Sequence, residues 1–342
     1  MSGGIAQLVA LGKQDNHLVG NPEISFFKST YKRHTNFSQT VNKQVIQNVP
    51  KNNGSSTVCF EKSGDLLGYV YLTALNTSTN TVVSENWSNS IKRIQLLIGG
   101  QVVDTQDIGY IVNVSQLTTV NTFSKTRSAG YFDSTASSVF FPLKFSFCEN
   151  VSSYLPLVAL QYHNVELKIE WNTVTAGVTY ECWANFIHLD NFERNKFSTE
   201  PHNMLITQVQ TNTPSLNLNQ ELVFNHPVKF IASVLPSGTI AQSKLRLNIN
   251  GTDVTNNKQI EPHFTKVTLY NNTSFASGGD IFFYPFCLDS NKFQPTGTLN
   301  FSRLDSAKFI IDGNSRFNGD IYAVNYNILK IEHGMGGVLY AN

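Results

Sequence analysis

Apolar and polar residues alternate with a period of two in several stretches of this chain. The clearest stretch is residues 165–171, where Val, Leu, Ile and Trp alternate with Glu and Lys. Residues 180–189 and 321–329 provide two more. Successive side chains of a strand point to opposite faces of its sheet, so this period predicts β-strands. After residue 37 no segment keeps a convincing helical period over ten residues or more, and we therefore predict an all-β fold.

The strand-like segments also occur twice in the same order. One example is an apolar strand that ends in a glycine turn and an acid. Three pairs of segments are related in this way: 96–104 with 247–253, 145–150 with 284–289, and 165–170 plus 180–189 with 307–311 plus 321–330. Three similarities in register indicate a duplicated β-unit.

Turn residues interrupt the apolar pattern at residues 210–215, which suggests a boundary between the two units. Each half is long enough for an eight-stranded, two-sheet roll, an architecture that hides strand edges. We therefore predict two consecutive eight-stranded jelly rolls, the first at residues 37–212 and the second at residues 213–342.

Residues 1–36 differ from this pattern and predict an N-terminal arm with a short helix. Residues 1–20 are small and polar, which is typical of an extended arm. Asn21 suits a helix N-cap, and Pro22 suits the first helical position. Three apolar side chains would then share one helix face, and three basic side chains would lie largely on the other: Ile24, Phe27 and Tyr31, and Lys28, Lys32 and Arg33. The helix would dock by its apolar face and leave its basic face free.

Three functions could use this mixture of aromatic and basic residues. A nucleic-acid patch combines cations with stacking aromatics, but the segment has only four basic residues when His34 is counted. A membrane-surface helix needs a longer amphipathic run. A short helix that closes one end of a β-domain needs neither feature, and residue chemistry alone favours it.

The composition favours protein–protein contact. Charged residues make up only 14% of the 342 residues, and the formal net charge is +1. An average soluble domain has roughly 25% charged residues, so the polar surface here must consist mostly of uncharged Asn, Thr and Ser. Such a surface loses its water at low cost. A net charge near zero argues against steering towards nucleic acid, and we predict no specific nucleic-acid partner.

Residues that carry catalysis or bind metals form no recognisable motif. The sequence contains no G-x-S-x-G nucleophile turn and no phosphate-binding loop. The eight His residues are scattered, without a spacing that would hold a metal. The four cysteines lie far apart, which is typical of buried free thiols: Cys59, Cys148, Cys182 and Cys287. We predict a protein that is not an enzyme, with no catalytic residue, no metal site and no cofactor.

Several ordered motifs resemble those of one viral protein family. Residues 20–37 contain Gly-Asn-Pro, Phe-Phe-Lys, a Tyr followed by two basic residues, and Thr-Asn-Phe. Further matches follow at residues 97–101, 142–148, 155–163, 224–229, 294–305, 322–327 and 334–337. In these motifs the chain resembles the double jelly-roll major capsid proteins of large nucleocytoplasmic double-stranded DNA viruses, of the phycodnavirus, iridovirus and mimivirus kind.

The resemblance implies a structural protein of the virion whose homotrimers form pseudo-hexameric capsomers. Such trimers would tile an icosahedral shell over an internal membrane surface, in contact with neighbouring capsomers and minor capsid proteins, after assembly in the host cytoplasm. The N-terminal segment would anchor this assembly, and its hypothetical contact residues are Phe26, Phe27, Lys28, Tyr31, Lys32, Arg33 and His34. A minor capsid component of the same fold remains an alternative.

Residues 224–229 resemble the start of the family's second roll. Within them, Asn225, His226 and Pro227 would form a rigid connector that fixes the angle between the two rolls. A fixed angle would allow a ring of three chains to present six similar units.

A lectin-like jelly roll is a second alternative function. Trp87, Trp183 and Tyr131 could stack on sugars if they were exposed. No cluster of calcium ligands supports this function.

Overall fold

The computed structural model describes residues 3–119, 125, 137–215, 217–235, 242–274, 281–313 and 316–341. The chain divides into two compact units, Met1–Asn36 and Phe37–Asn342. The strands lie in the second unit, and their pairings are antiparallel. The prediction of an all-β fold is therefore confirmed.

The first unit contains two short helices, α1 (Gly3–Val9) and α2 (Asn16–Val19). The prediction of an extended arm is wrong at these two helices, and the prediction of a helix after Pro22 is also wrong, because residues 22–36 are not helical. Asn21 has a left-handed backbone with a φ of 51°. The Phe27 N–H donates to Ser25 Oγ at 3.4 Å, a local hydrogen bond that competes with helix formation.

The first half of the second unit contains two sheets, which we call A1 and B1. A1 consists, in spatial order, of β1 (Phe37–Gln44), β12 (Val178–Leu189), β4 (Leu66–Asn76) and β10 (Leu155–Pro156), with β9 (Phe140–Pro142) also paired to β4. B1 consists of β2 (Ile46–Gln47), β3 (Ser55–Cys59), β11 (Val165–Trp171), β6 (Ile91–Ile98) and β7 (Gln101–Asp107). As predicted, β11 buries every second residue, beginning with Val165.

The second half contains two further sheets, which we call A2 and B2. A2 consists of β13 (His202–Asn212), β22 (Ile321–Glu332), β15 (Pro227–Val234) and β19 (Ile281–Pro285), with β20 (Leu299–Asn300) paired to β15 and β23 (Met335–Val338) paired to β22. B2 consists of β14 (Asn219–Glu221), β21 (Ala307–Asp312), β16 (Lys244–Ile249) and β17 (Thr252–Asp253), with β18 (Lys258–Gln259) paired to β16.

The two halves have the same strand order, so the duplication is confirmed. The order β1-β12-β4 in A1 corresponds to β13-β22-β15 in A2, and β9 and β10, which pair with β4, correspond to β19 and β20, which pair with β15. The order β3-β11-β6-β7 in B1 corresponds to β14-β21-β16-β17 in B2. The hairpins after β6 and β16 both turn through two residues with positive φ, Gly99-Gly100 and Asn250-Gly251. This is the strand order of a double jelly roll.

One of the three sequence similarities does not correspond to equivalent structure. Residues 145–150 contain the helical turn Ser146–Glu149, whereas Tyr284 and Pro285 end strand β19. The other two similarities lie on equivalent strands.

The remaining elements of the described residues are short. Strands β5 (Glu85–Asn86) and β8 (Ser137–Ser138) form a separate pair. The helices are α3 (Trp87–Ser90), α4 (Ser146–Glu149), α5 (Asn191–Thr199) and α6 (Thr268–Asn272), the 3₁₀ turns are Ser115–Leu117, Val151–Ser153 and Phe301–Arg303, and the π-helical turns are Tyr110–Val114 and Ile260–Val267. Asp190 caps α5 through a hydrogen bond from the Asn191 N–H at 2.8 Å.

The chain passes from the first pair of sheets to the second through α5. Strand β13 pairs with β22 along its whole length, from His202 opposite Ile331 to Asn212 opposite Ile321. By its hydrogen bonds, β13 therefore belongs to sheet A2, although it precedes the predicted boundary between residues 212 and 213. The division of the chain into rolls as folding units remains a prediction, and these pairings favour a boundary at α5.

Sheet A2 is covered on both faces. Strand β22 is buried at residues 321–327 without interruption. Ile321 and Ala323 belong to the core between A2 and B2, whereas Tyr322 and Val324 belong to the core of the first half. The two halves therefore share a continuous apolar contact, and A2 reads as a sheet buried on both sides.

Candidate functional site

The predicted assembly residues of the N-terminal segment are exposed. Phe26, Phe27 and Tyr31 expose 89%, 99% and 88% of their surface. Their basic neighbours are exposed as well: Lys28, Lys32, Arg33 and His34. Because residues 22–36 are not helical, these side chains do not form the two helix faces that were predicted. An assembly role for this segment remains a prediction.

The structure corrects the prediction that Asn225-His226-Pro227 connects the two rolls. This segment joins β14 to β15 and therefore links sheets B2 and A2 within the second half. The Asn225 N–H donates to Gln210 Oε1 at 2.9 Å, and the His226 N–H donates to Ser302 Oγ at 2.8 Å. His226 has a φ of 64°, a left-handed turn residue held by contacts of its own half.

The angle between the two halves is instead fixed by a buried junction, in which residues of the first half contact residues of the second. At one side, β7 lies beside β13. Gln208 Nε2 donates to the Val103 carbonyl oxygen at 2.5 Å, and the Val209 N–H donates to Asp104 Oδ1 at 2.9 Å. Side chains therefore join two strand edges that belong to different rolls.

Asp104 is the buried carboxylate of this junction, with 6% of its surface exposed. Its Oδ1 also accepts from the Thr105 N–H at 2.9 Å, and its Oδ2 accepts from Gln106 Nε2 at 2.8 Å. Burial raises the pKa of Asp104 to about 7, although the three N–H donors lower it in part. Proton uptake at this carboxylate is therefore coupled to contact between the halves.

Aromatic rings close the middle of the junction. The rings of Tyr110 and Tyr322 lie 5.8 Å apart, and both side chains are almost fully buried. Gly109 lies so close that an added Cβ would be 2.6 Å from Tyr322 Oη. Burial raises the pKa of both tyrosines, so both remain neutral. This close approach requires glycine at position 109.

A third part of the junction depends on a buried lysine. Ser290 Oγ donates to the Leu117 carbonyl oxygen at 2.5 Å, and Asn291 Nδ2 donates to the Thr119 carbonyl oxygen at 2.9 Å. Lys229, which is 3% exposed, donates to the Ser290 carbonyl oxygen at 2.6 Å. Burial lowers the pKa of Lys229. The lysine thus holds the loop that carries Ser290 against the first half.

Sequence reasoning missed this junction, although two signals point to it. Asp104 is the acid after the glycine turn of residues 96–104, and its counterpart Asp253 is exposed, so the pattern alone does not say which acid is buried. Lys229 is the charged residue inside the apolar run of β15, and a lysine in such a position requires buried acceptors. The distant partners, Val209 for Asp104 and Ser290 for Lys229, lie more than sixty residues away, where sequence spacing gives no guide.

The outer face of sheet A1 is a second surface of interest. Lys43, Trp183, Tyr71 and Pro142 lie in one cross-strand row. Tyr71 packs edge-on against Phe140, with ring centroids 6.2 Å apart. Tyr71, Phe140 and Pro142 line an open groove of about 640 Å³. Within the described residues, this groove is mainly aromatic and aliphatic, and Lys125, Lys144 and Glu149 also line it.

Of the three aromatics proposed for sugar stacking, the structure describes Trp87 and Trp183. Trp87 is fully buried against Phe141 and Tyr180, so it cannot contact a sugar. Trp183 is half-buried, and its Nε1 donates to Glu181 Oε2 at 3.1 Å. Tyr131 lies outside the described residues. The lectin-like alternative therefore loses Trp87 as a contact residue.

Within the described residues, the cysteines form neither a disulfide nor a metal cluster. The four cysteines are free, and burial raises the pKa of the Cys182 thiol to about 12. In the part of the chain that the structure describes, no three His, Cys, Asp or Glu side chains come together as metal ligands. Among the same residues, no helix has the length and apolar character required to cross a bilayer.

Comparison with known proteins identifies relatives over the whole chain. A family model of the major capsid protein N-terminus matches residues 25–206, and a model of the large eukaryotic DNA virus major capsid protein matches residues 237–337. A major capsid protein of Pyramimonas orientalis virus is 33% identical, with 100% of both chains covered. That of Paramecium bursaria Chlorella virus 1 is 28% identical, again with 100% of both chains covered.

Solved structures share the fold. A chain of the PBCV-1 virus capsid superposes with a TM-score of 0.78 at 24% identity, covering 93% of this chain and 100% of that chain. The Faustovirus major capsid protein superposes with a TM-score of 0.67 at 10% identity, covering 90% of this chain and 93% of that chain.

The chain thus has the double jelly-roll fold of these viral capsid proteins. Major capsid proteins are structural components of the virion and are not enzymes. The chain belongs to the major capsid proteins of large eukaryotic DNA viruses.

Proposed function

We propose that this protein forms homotrimeric, pseudo-hexameric capsomers that tile an icosahedral shell. The observation that carries the proposal is the pair of rolls with one strand order, joined by a buried junction. Because the junction holds the two rolls at one angle, three copies in a ring present six similar units to their neighbours. A closed ring of identical chains requires a head-to-tail contact, in which two different surfaces of the chain meet.

The contacts of the shell follow from this arrangement. Contacts within a trimer bury an obligate-size area, above roughly 2,000 Å² and largely apolar. Contacts between trimers are smaller and more polar, so that shell growth stays reversible until the shell closes. The low charge content of 14% suits both, since few ionic groups must lose water. Many weak contacts then add up to a stable lattice.

The exposed N-terminal segment supports a role on the inner side of the shell. Phe26 and Phe27 supply apolar surface, and Lys28, Lys32 and Arg33 supply positive charge. Minor capsid proteins or the anionic lipid of an internal membrane are the partners that such a segment would meet there. The protein then acts in the virion after assembly in the host cytoplasm, without a specific nucleic-acid partner.

Abundance in purified particles tests the proposal. A protein that tiles the shell must be the most abundant polypeptide, and quantitative mass spectrometry of gradient-purified virions should show it in large excess over every other protein. A copy number similar to that of the low-abundance coat components would refute the role of main tile. It would instead favour a minor capsid component of the same fold.

A further inference from the structure

The junction inside the chain pairs one helical segment with one sheet face. The helical segment is residues 110–117 of the first half, which follows β7. Its apolar side chains are buried, and Tyr110 packs on Tyr322. The sheet face is the outer face of A2, which contributes Phe230, Phe283 and Val324 to the same core. The first half thus supplies a helical segment, and the second half supplies a face that accepts it.

The second half repeats this helical segment at the equivalent place. Residues 260–272 also follow the hairpin of the B sheet and precede the next A-sheet strand. One side of the segment is buried in its own roll through Ile260 and Phe264. The other side is exposed, since Val267 and Tyr270 expose 42% and 87% of their surface. The counterpart of this exposed side is buried in the first half by the junction.

The first half, in turn, repeats the accepting face. The outer face of A1 is the counterpart of the outer face of A2, because A1 and A2 have the same strand order. It carries Tyr69, Tyr71 and Phe140 around the groove of about 640 Å³, and Tyr69 is 40% exposed. Within the described residues, each chain therefore has an exposed helical segment and an accepting face with an open groove, and their duplicates are buried against each other within the chain.

We propose that the exposed side of residues 260–272 of one copy packs on the outer face of sheet A1 of the next copy. This contact repeats the internal junction between chains and rests on the proposed homotrimer. The two surfaces differ, so the contact is head-to-tail, which is the type of contact that a closed ring of three copies requires. Tyr270 is the anchor, because a large exposed aromatic that enters an apolar groove is typical of interface hot spots.

A photo-crosslinker at position 270 tests this contact. Tyr270 is replaced by p-benzoyl-phenylalanine, which keeps an aromatic ring, and the mass of the purified protein is checked by light scattering before irradiation. Mixed isotope-labelled and unlabelled copies distinguish crosslinks between chains from crosslinks within one chain. The matched control carries the same group at Phe192 of α5, which is 81% exposed and lies outside both surfaces.

The proposal expects a trimer with crosslinks between chains from position 270 to residues 66–76, 137–156 or 178–189, and none to these segments from position 192. A trimer whose crosslinks from position 270 fall elsewhere overturns the contact and leaves the homotrimer standing. A protein that stays monomeric overturns the homotrimer and the contact together.

A second variant measures the strength of the contact. Tyr270→Asp places a charge on the exposed side without touching the buried side of the segment. The concentration at which the trimer dissociates should rise on the order of tenfold or more, as for loss of a hot-spot aromatic. Phe192→Asp should leave it unchanged. An unchanged trimer in Tyr270→Asp would overturn the proposed anchor.

Discussion

Asp104 couples the stability of the junction to pH, and Asp104→Asn tests this coupling. Burial raises the pKa of this carboxyl from 3.8 to about 7 in the folded chain. The folded state therefore holds the proton more tightly than the unfolded state. The resulting stabilisation is fully present below about pH 4, and it is lost as the pH rises through about 7.

The size of the effect follows from the two pKa values. Between pH 5 and pH 8, the free energy of unfolding should fall by about 2–3 kcal/mol because of Asp104 alone. Asp104→Asn has no titrating group at this position and should lack this fall. The Asn oxygen keeps an acceptor for the Val209 and Thr105 N–H groups, and the cost of placing the new NH2 group beside Gln106 Nε2 is the same at every pH.

The assay is urea unfolding of both proteins at pH 5, 6, 7 and 8. The free energy of unfolding of the wild type should decrease relative to that of Asp104→Asn over this range. Comparing the two proteins at each pH cancels the contributions of other titrating groups. Asp253→Asn is the matched control, since Asp253 follows the equivalent turn but is exposed and ion-paired with Arg246 at 3.1 Å. A constant difference between wild type and Asp104→Asn from pH 5 to pH 8 would refute the reasoning.

Three further predictions concern the other parts of the structure. Lys229→Met removes the donor to the Ser290 carbonyl oxygen and should lower the free energy of unfolding by about 1–3 kcal/mol. Hydrogen exchange in residues 286–293 should become faster, and unchanged exchange would contradict the role of Lys229 in holding this loop. Gly109→Ala should lower the free energy of unfolding by about 1–3 kcal/mol through overpacking against Tyr322 Oη. Chemical denaturation should show that most of this loss disappears in the Tyr322→Phe background, and equal losses in both backgrounds would show that the contact is not the cause. The double variant Lys32→Glu/Arg33→Glu should lower the yield of assembled particles, counted by electron microscopy, while light scattering still shows trimers. The control is the exposed pair Lys51→Glu/Lys92→Glu, and a normal yield from the first variant would argue against an assembly role of the N-terminal segment.

The sheets were largely predictable from the sequence because their signals are local. A period of two, as at β11, and a glycine hairpin, as at Gly99-Gly100, follow from the backbone of the strand itself. The duplication was visible for the same reason, since equivalent strands keep equivalent patterns. The boundary between the two rolls was harder to predict, because the sequence of β13 is that of a strand whichever half it belongs to. Only its pairing with β22 shows which sheet it joins.

The junction and the N-terminal segment were harder to predict for physical reasons. Whether Asp104 is buried depends on β13, which follows it by about a hundred residues in sequence and contacts it through Val209. In the N-terminal segment, an apolar face with helical spacing is not sufficient to form a helix, because a short helix gains most of its stability from packing. Phe27 and Tyr31 remain exposed in this chain, so the segment has no such packing.

The mass of the purified protein in solution tests the central claim most directly. Size-exclusion chromatography with light scattering at micromolar concentration should give three times the chain mass of 38.1 kDa. This result is expected because the proposed contact between segment 260–272 and the open face of A1 joins three copies in one capsomer. A stable particle of 38.1 kDa at the same concentration would contradict the account.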